Sequence, residues 1–327
     1  VIIDGTTESD YSGAPVIQIA GSALSAVAGD NYDGFTLASG SDGSIIRGLS
    51  ITGFADGLPH GGAIDVRSDN NLIAGNYIGL APDGTTVDAN RMGVLLHNGA
   101  DDNIIGGTSA VDRNLISGSL YAGVNIIDSV STGNRVIGNH IGLDASGNVV
   151  TSGLFGVLVW DGSSNNEIGG DNPSEGNRIA GHREGVVIDN AANPGLNNAI
   201  LGNAIYANRE MGIDLNNDGI TYNDNGDTDS GPNDLLNYPV ISYISQNGAD
   251  LDVTFNLDAP AGDYRIEFFE NPGGLEPTGQ GGGEVFLGAV TVTSTGSGPQ
   301  VFSRTLTGVT ITGAATVSAT ATEHLSL

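Results

Sequence analysis

The sequence predicts an all-β chain. It reads as a coil of short parallel strands over residues 1–219, an acidic junction over 220–237 and a small antiparallel β-sandwich over 238–327. Three observations lead there. Short apolar phrases return at a nearly constant interval, no 10-residue stretch carries helical periodicity, and beyond residue 238 the phrases lengthen and stop repeating.

Composition sets the limits. The 327 residues include 52 Gly, no Cys, no Lys and 38 acids, for a formal charge of −28. That much Gly, with abundant Asn and Asp, implies many turns. The negative charge argues against nucleic acid, which needs a basic face, and against anionic membranes, while favouring bound cations. Without Cys there is no thiolate chemistry and no disulfide. No run approaches the ~20 apolar residues of a membrane span, so membrane insertion is not expected.

The chain opens on "VIIDG", already a strand, and closes on "TVSATATEHLSL", in or just after another. Both ends look cut from something longer, so the expected context is an exported polypeptide, extracellular or on a cell surface.

The coil is read from its repeats. Asn71, Asn103, Asn134, Asn166 and Asn198 open the phrases "NLIAG", "NIIGG", "NRVIG", "NEIGG" and "NAILG", at spacings of 32, 31, 32 and 32. A second phrase begins at Gly93, Gly123, Gly156, Gly185 and Gly212, with a degenerate first copy at Ala63. A third, "RNLISG" and then "GNRIAG", recurs after 63 residues, a doubled period. Several strands of three to five residues in each unit of about 31, stacking on their equivalents, describe a parallel β-solenoid of about seven rungs. Val94, Val124, Val157, Val186 and Ile213 should form one inward column, and Leu96, Ile126, Val159, Ile188 and Leu215 another. The repeating Asn belongs at a corner, where it tolerates left-handed backbone and its amide can bond the next rung's Asn.

In these phrases, and in "IDGTTESDYSGAPVI", "GLDASGNVV" and "NDNGDTDSGPNDLLNYPVI", residues 1–240 resemble the right-handed parallel β-helix repeat proteins of the bacterial exported and cell-surface type. The resemblance implies the fold. It does not choose a function, because the group includes polysaccharide lyases, epimerases, hydrolases and non-catalytic surface proteins.

Past the last rung, Asp214-x-Asn216-x-Asp218-Gly219 has the oxygen spacing of the first half of a calcium loop. Asn225 stands where an EF-hand would have its closing Glu, and Asp224, Asp227 and Asp229 could complete a different Ca2+ cage. A solvated acidic linker is the alternative. From Tyr238 onward, alternating strands joined by "QNG", "APAGD" and "TGSG" read as an immunoglobulin-like sandwich, with 271–283 as a flexible loop.

For chemistry, the place to look is the outward side of the Gly-Val column. Its outward positions are Asp65, Leu95, Asn125, Leu158, Val187 and Asp214, then Arg67, His97, Ile127, Trp160, Asp189 and Asn216. Leu95, Ile127, Leu158, Trp160 and Val187 make an apolar strip that suits a ligand or partner. Arg67 and His97, with Asp65, could form a small polar group at one end of the strip and are the alternative should the chain be catalytic.

The leading expectation is therefore a non-catalytic extracellular structural or adhesive protein that self-associates through the solenoid or meets another cell-surface protein. The alternative is a polysaccharide lyase, epimerase or hydrolase, or a carbohydrate-binding protein, using the same face.

Overall fold

The computed structural model describes residues 1–24, 32–55, 61–189, 193–279, 282–313 and 316–323. Three seven-stranded parallel sheets form a β-solenoid, each strand pairing with its equivalents in the rungs above and below. The first sheet runs from Ile2–Asp4 to Ala199–Leu201, the second from Ile17–Ala20 to Ala204–Tyr206, and the third from Phe35–Leu37 to Ile213–Leu215.

Both inward columns stand as expected. Val94, Val124, Val157, Val186 and Ile213 are in register, as are Leu96, Ile126, Val159, Ile188 and Leu215. They share one continuous core with Ile73, Ile105, Val136 and Ile168 of the first sheet and Ile78, Ile116, Ile141 and Ile179 of the second. Each such side chain contributes roughly 1.5–3 kcal/mol by leaving water. The Gly that opens each third-sheet phrase makes room for that core. A Cβ on Gly93, Gly123, Gly156 or Gly185 would lie 2.4–2.7 Å from the Cγ2 of Ile116, Ile141, Ile179 or Ile205.

The Asn phrase forms the predicted ladder. Asn71 donates through Nδ2 to Asn103 Oδ1 at 2.8 Å, Asn103 to Asn134 at 2.9 Å, Asn134 to Asn166 at 3.1 Å and Asn166 to Asn198 at 3.1 Å. Each acceptor oxygen also takes the backbone N–H of the Asn one rung back. In one respect the corner differs from expectation. The left-handed residue is the one before the ladder Asn: Asn70, Asp102, Gly133, Asn165 and Asn197, with φ of 56–69°. The ladder Asn itself is spared strain and spends its amide on the stack.

A second ladder, not anticipated, runs through Asn76, Asn114, Asn139, Asn177 and Asn203 at 2.9–3.1 Å. Its separations alternate between 38 and 25 or 26 residues, which explains the doubled period of 63. From the third rung to the sixth, alternate rungs carry their excursions at different corners. The rungs of Asn76 and Asn139 place hairpins after the second sheet, bridged at Leu80–Val87 and Leu143–Val149. The intervening rungs place loops between the first and second sheets, at 107–113 and 170–176. The two hairpins touch across the rung between them, where Ala145 N donates to Gly84 O at 2.9 Å.

The C-terminal part is a sandwich of two three-stranded antiparallel sheets. Val240–Asn247, Asp250–Leu257 and Gln300–Leu306 form one, and Ala261–Asn271, Val285–Thr295 and Thr316–Glu323 the other. Phe255 is its hub, with ring centroids 5.5 Å from Phe268 and 5.7 Å from Phe302.

This sandwich and the junction close the end of the solenoid. Asn198 N donates to Asn233 Oδ1 at 3.0 Å, so the first ladder gains one more step from the junction. Ile205 and Gly283 exchange backbone hydrogen bonds at 2.8 and 2.6 Å. Gly202 N donates to Glu267 Oε2 at 2.8 Å, and Asn208 N reaches Glu276 Oε1 at 3.4 Å. The described part of segment 271–283 is therefore docked, contrary to its reading as a flexible loop. Its glycines serve close approach, since a Cβ on Gly282 would lie 2.4 Å from Ile205 O and one on Gly283 2.6 Å from the Phe269 ring.

Two predictions follow from this packing. Asn134→Ala would orphan buried donors on Asn103 and is expected to cost about 2–3 kcal/mol in denaturant unfolding, whereas Asn197→Ala, exposed but in left-handed backbone, should cost only about 1 kcal/mol. Burial pushes the Glu276 carboxyl from 4.5 up to about 7. The folded state thus holds this proton more tightly than the unfolded chain. Its contribution to stability is complete below about pH 4.5 and falls as pH rises through about 7. Melting temperatures followed across that range should decline less in Glu276→Gln.

Candidate functional site

The outward positions of the third sheet are in the predicted register, with Asp65, Leu95, Asn125, Leu158, Val187 and Asp214 aligned across successive rungs. Their surroundings differ from the expectation of an open apolar strip. Leu95, Leu158 and Val187 are at most 1 % exposed, while Ile127 and Trp160 are half-buried.

Leu158 and Val187 belong to a second apolar cluster outside the solenoid core, built with Ala122 and Phe155 and flanked by Tyr121, Leu154 and Trp160. Phe155 meets Tyr121 edge to face at 5.5 Å, and the Arg183 guanidinium lies 5.3 Å from the centre of the Phe155 ring. The phrase "GVLVW", read from its Gly, leaves out the Phe one residue earlier that helps to cover the column. The strip is already buried by its own chain, so self-association through it loses its basis.

Asp65, Arg67 and His97 do come together. Asp65 is fully buried, and Arg67 Nε donates to both its oxygens at 3.1 Å while a second guanidinium nitrogen bonds Oδ2. His97 Nε2 lies 2.9 Å from Asp65 Oδ1 and 3.1 Å from Arg67 Nε. That nitrogen either donates to the carboxylate or accepts from the guanidinium, according to its tautomer. Burial works against the Asp65 charge, but the hydrogen bonds from His97 and Arg67 prevail and hold its carboxyl below the usual range.

Asp33 joins this group from the first rung, a member that repeat phrases cannot reveal because it precedes the strand Phe35–Leu37. Its oxygens accept from Gly62 N at 2.9 Å and Thr36 Oγ1 at 3.3 Å. Burial, reinforced by the Asp65 charge, pushes its carboxyl up to about 6. Chemically, a protonatable carboxyl beside an ionised one is an acid–base pair. Here both oxygens of each are already engaged by the protein.

At the other end of the face, Glu184 and Asp214 are also buried, and burial raises both carboxyls. Arg183 donates to Glu184 at 3.0 Å.

The six expected calcium ligands divide. Asp214 Oδ2 accepts from Gly219 N at 3.0 Å and Asn216 Nδ2 donates to Asp218 Oδ2 at 2.7 Å, so this loop folds on itself. Asp224, Asp227 and Asp229 instead converge, each offering an oxygen within 4.8 Å of the others. Burial, with the charges of Asp229, Asp224 and Asp258, pushes Asp227 up to about 6.

Removing the Arg67 guanidinium (Arg67→Ala) should cost about 3 kcal/mol, because a buried carboxylate loses its main partner. Phe155→Ala should cost a similar ~3 kcal/mol by opening the outer cluster. Both are read as denaturant-midpoint shifts.

Among the described residues no helix is long and apolar enough to cross a membrane. No family model matches the chain. Two tailspike proteins are among the solved structures similar to it. The Dettilon tailspike protein has a TM-score of 0.34 at 14 % identity, over 85 % of this chain and 76 % of that one. Full-length tailspike protein 2 from Escherichia coli O157:H7 bacteriophage CAB120 has a TM-score of 0.32 at 10 % identity, over 89 % of this chain and 47 % of that one. Similarity at this level assigns neither activity nor ligand, and the chain stands as a parallel β-solenoid closed by a β-sandwich.

Proposed function

We propose that this chain is a non-catalytic structural or adhesive rod of an exported, extracellular or cell-surface protein, with the sandwich as its rigidly docked end module. The observation that carries this reading is the closure of the last rung. Asn233, Gly283, Glu267 and Glu276 take the outward-facing N–H groups of Asn198, Ile205, Gly202 and Asn208. At this end of the solenoid those N–H groups are used internally rather than offered to another copy, and the two parts bear on each other through directional bonds. A charge of −28 adds repulsion between copies. Partners are then expected on the polar faces of the rod: another surface protein, or a polysaccharide.

A second reading, a polysaccharide-active enzyme, is favoured by one observation, the grouping of Asp33, Asp65, Arg67 and His97. Against it, Asp65 is fully buried and its oxygens are occupied by Arg67 and His97.

One experiment separates the two. The protein is incubated with alginate, pectate and neutral glycans in the presence of calcium, and reducing ends and the ultraviolet absorbance of unsaturated products are followed. The rod reading expects no turnover, and sedimentation of a single elongated species at all concentrations. Turnover that disappears in Asp33→Asn or His97→Ala would install the enzyme reading instead.

A further inference from the structure

We propose that Asp224, Asp227 and Asp229 form a calcium site completed by the carboxylate of Asp258, and that the ion ties the acidic junction to the sandwich. Three convergent carboxylates alone would not justify this, since exposed acids often cluster without an ion. The independent observation is Asp258. It is only 9 % exposed, and its Oδ1 is buried with no hydrogen-bond partner among the described residues. Leaving a carboxylate oxygen buried and unpartnered is costly, and a cation is the usual remedy.

The position of Asp258 connects it to the triad. Its Oδ2 accepts from Gly226 N at 3.0 Å, on the turn between Asp224 and Asp227. Its backbone oxygen accepts from Asn237 Nδ2 at 2.8 Å, and the same amide nitrogen donates to Asp224 O at 3.0 Å. Asn237 N donates to Asp227 Oδ1 at 2.8 Å. The junction turn is thus wrapped around Asn237 and laid against the loop that follows strand Asp250–Leu257. Among the described residues no salt bridge involves any of the four acids. Three converging carboxylates, with Asp258 held against their turn through Gly226 N, are therefore met by no ion pair among the described residues.

The donor set selects the ion. It is all oxygen, without His or Cys, which disfavours zinc and copper. It comes from a turn and a loop, which suits the variable coordination of calcium better than the near-ideal octahedron that magnesium requires. Asp214, Asn216 and Asp218 lie outside this converging set, so the proposed site is the downstream one.

The test is calorimetric titration of CaCl2 into the full chain after chelator treatment, paired with melting curves. One equivalent should bind with a Kd of about 1 mM or tighter, the range of extracellular calcium modules, and raise the melting temperature. Asp258→Asn should weaken binding by about tenfold or more, as should Asp229→Asn, while Asp218→Asn should leave it unchanged. The proposal is overturned by absence of both heat and melting shift up to about 10 mM calcium, well above that range. It is equally overturned if Asp258→Asn binds as the parent does, or if Asp218→Asn abolishes binding. Should Asp258→Asn fail to fold, the exposed Asp229→Asn decides, and unchanged affinity there ends the proposal. Any of these failures leaves the rod reading intact, because that reading rests on the bonds at Asn233, Gly283 and Glu267.

Discussion

Everything in the solenoid depends on the bifurcated role of one amide oxygen per corner. In the first ladder, the Oδ1 of Asn103, Asn134, Asn166 or Asn198 accepts both a side-chain and a backbone N–H from the rung before it. Chain direction changes at these corners, where strand pairing cannot satisfy the backbone. The amide fills that gap from within the stack, so rungs follow at the strand-pairing distance of ~4.8 Å and in fixed register. Fixed register in turn places Ile upon Ile inside and sets which side chains stand next to one another outside.

Much of this was legible because a stacked rung repeats itself. The spacing of 31 or 32 identifies the first ladder directly, and the alternation within "GVLLH" and its equivalents separates inward from outward residues. The second ladder was hidden by its unequal steps, which only their sum reveals. Positions outside the repeat were less readable. Asp33 precedes the first phrase, Phe155 precedes a phrase recognised by its Gly, and Asp258 sits in the sandwich, far in sequence from the acids it adjoins. Alternation showed that Leu158 and Val187 face away from the core. It could not show that an aromatic neighbour and its arginine fold back over them.

The candidate site shows the same limit. Sequence columns brought Asp65, Arg67 and His97 together correctly, since they occupy adjacent outward positions. Whether such a group is a tool or a brace is decided by access and by free valence. Asp65 has neither, and its partners are held by it as much as they hold it. The acidic junction is the converse case, with a carboxylate oxygen left over and, among the described residues, no ion pair to meet its acids.

The contact between the hairpin tips at Gly84 and Ala145 has a consequence for how the rod can change length. Because those tips rest on each other over an intervening rung, the smallest interchangeable module is a pair of coils, 63 residues long. Deleting a single coil would set a hairpin against a smooth corner and leave both unsupported. Within the third to sixth coils, where the hairpins lie, an insertion that keeps this tip contact would therefore add coils in pairs.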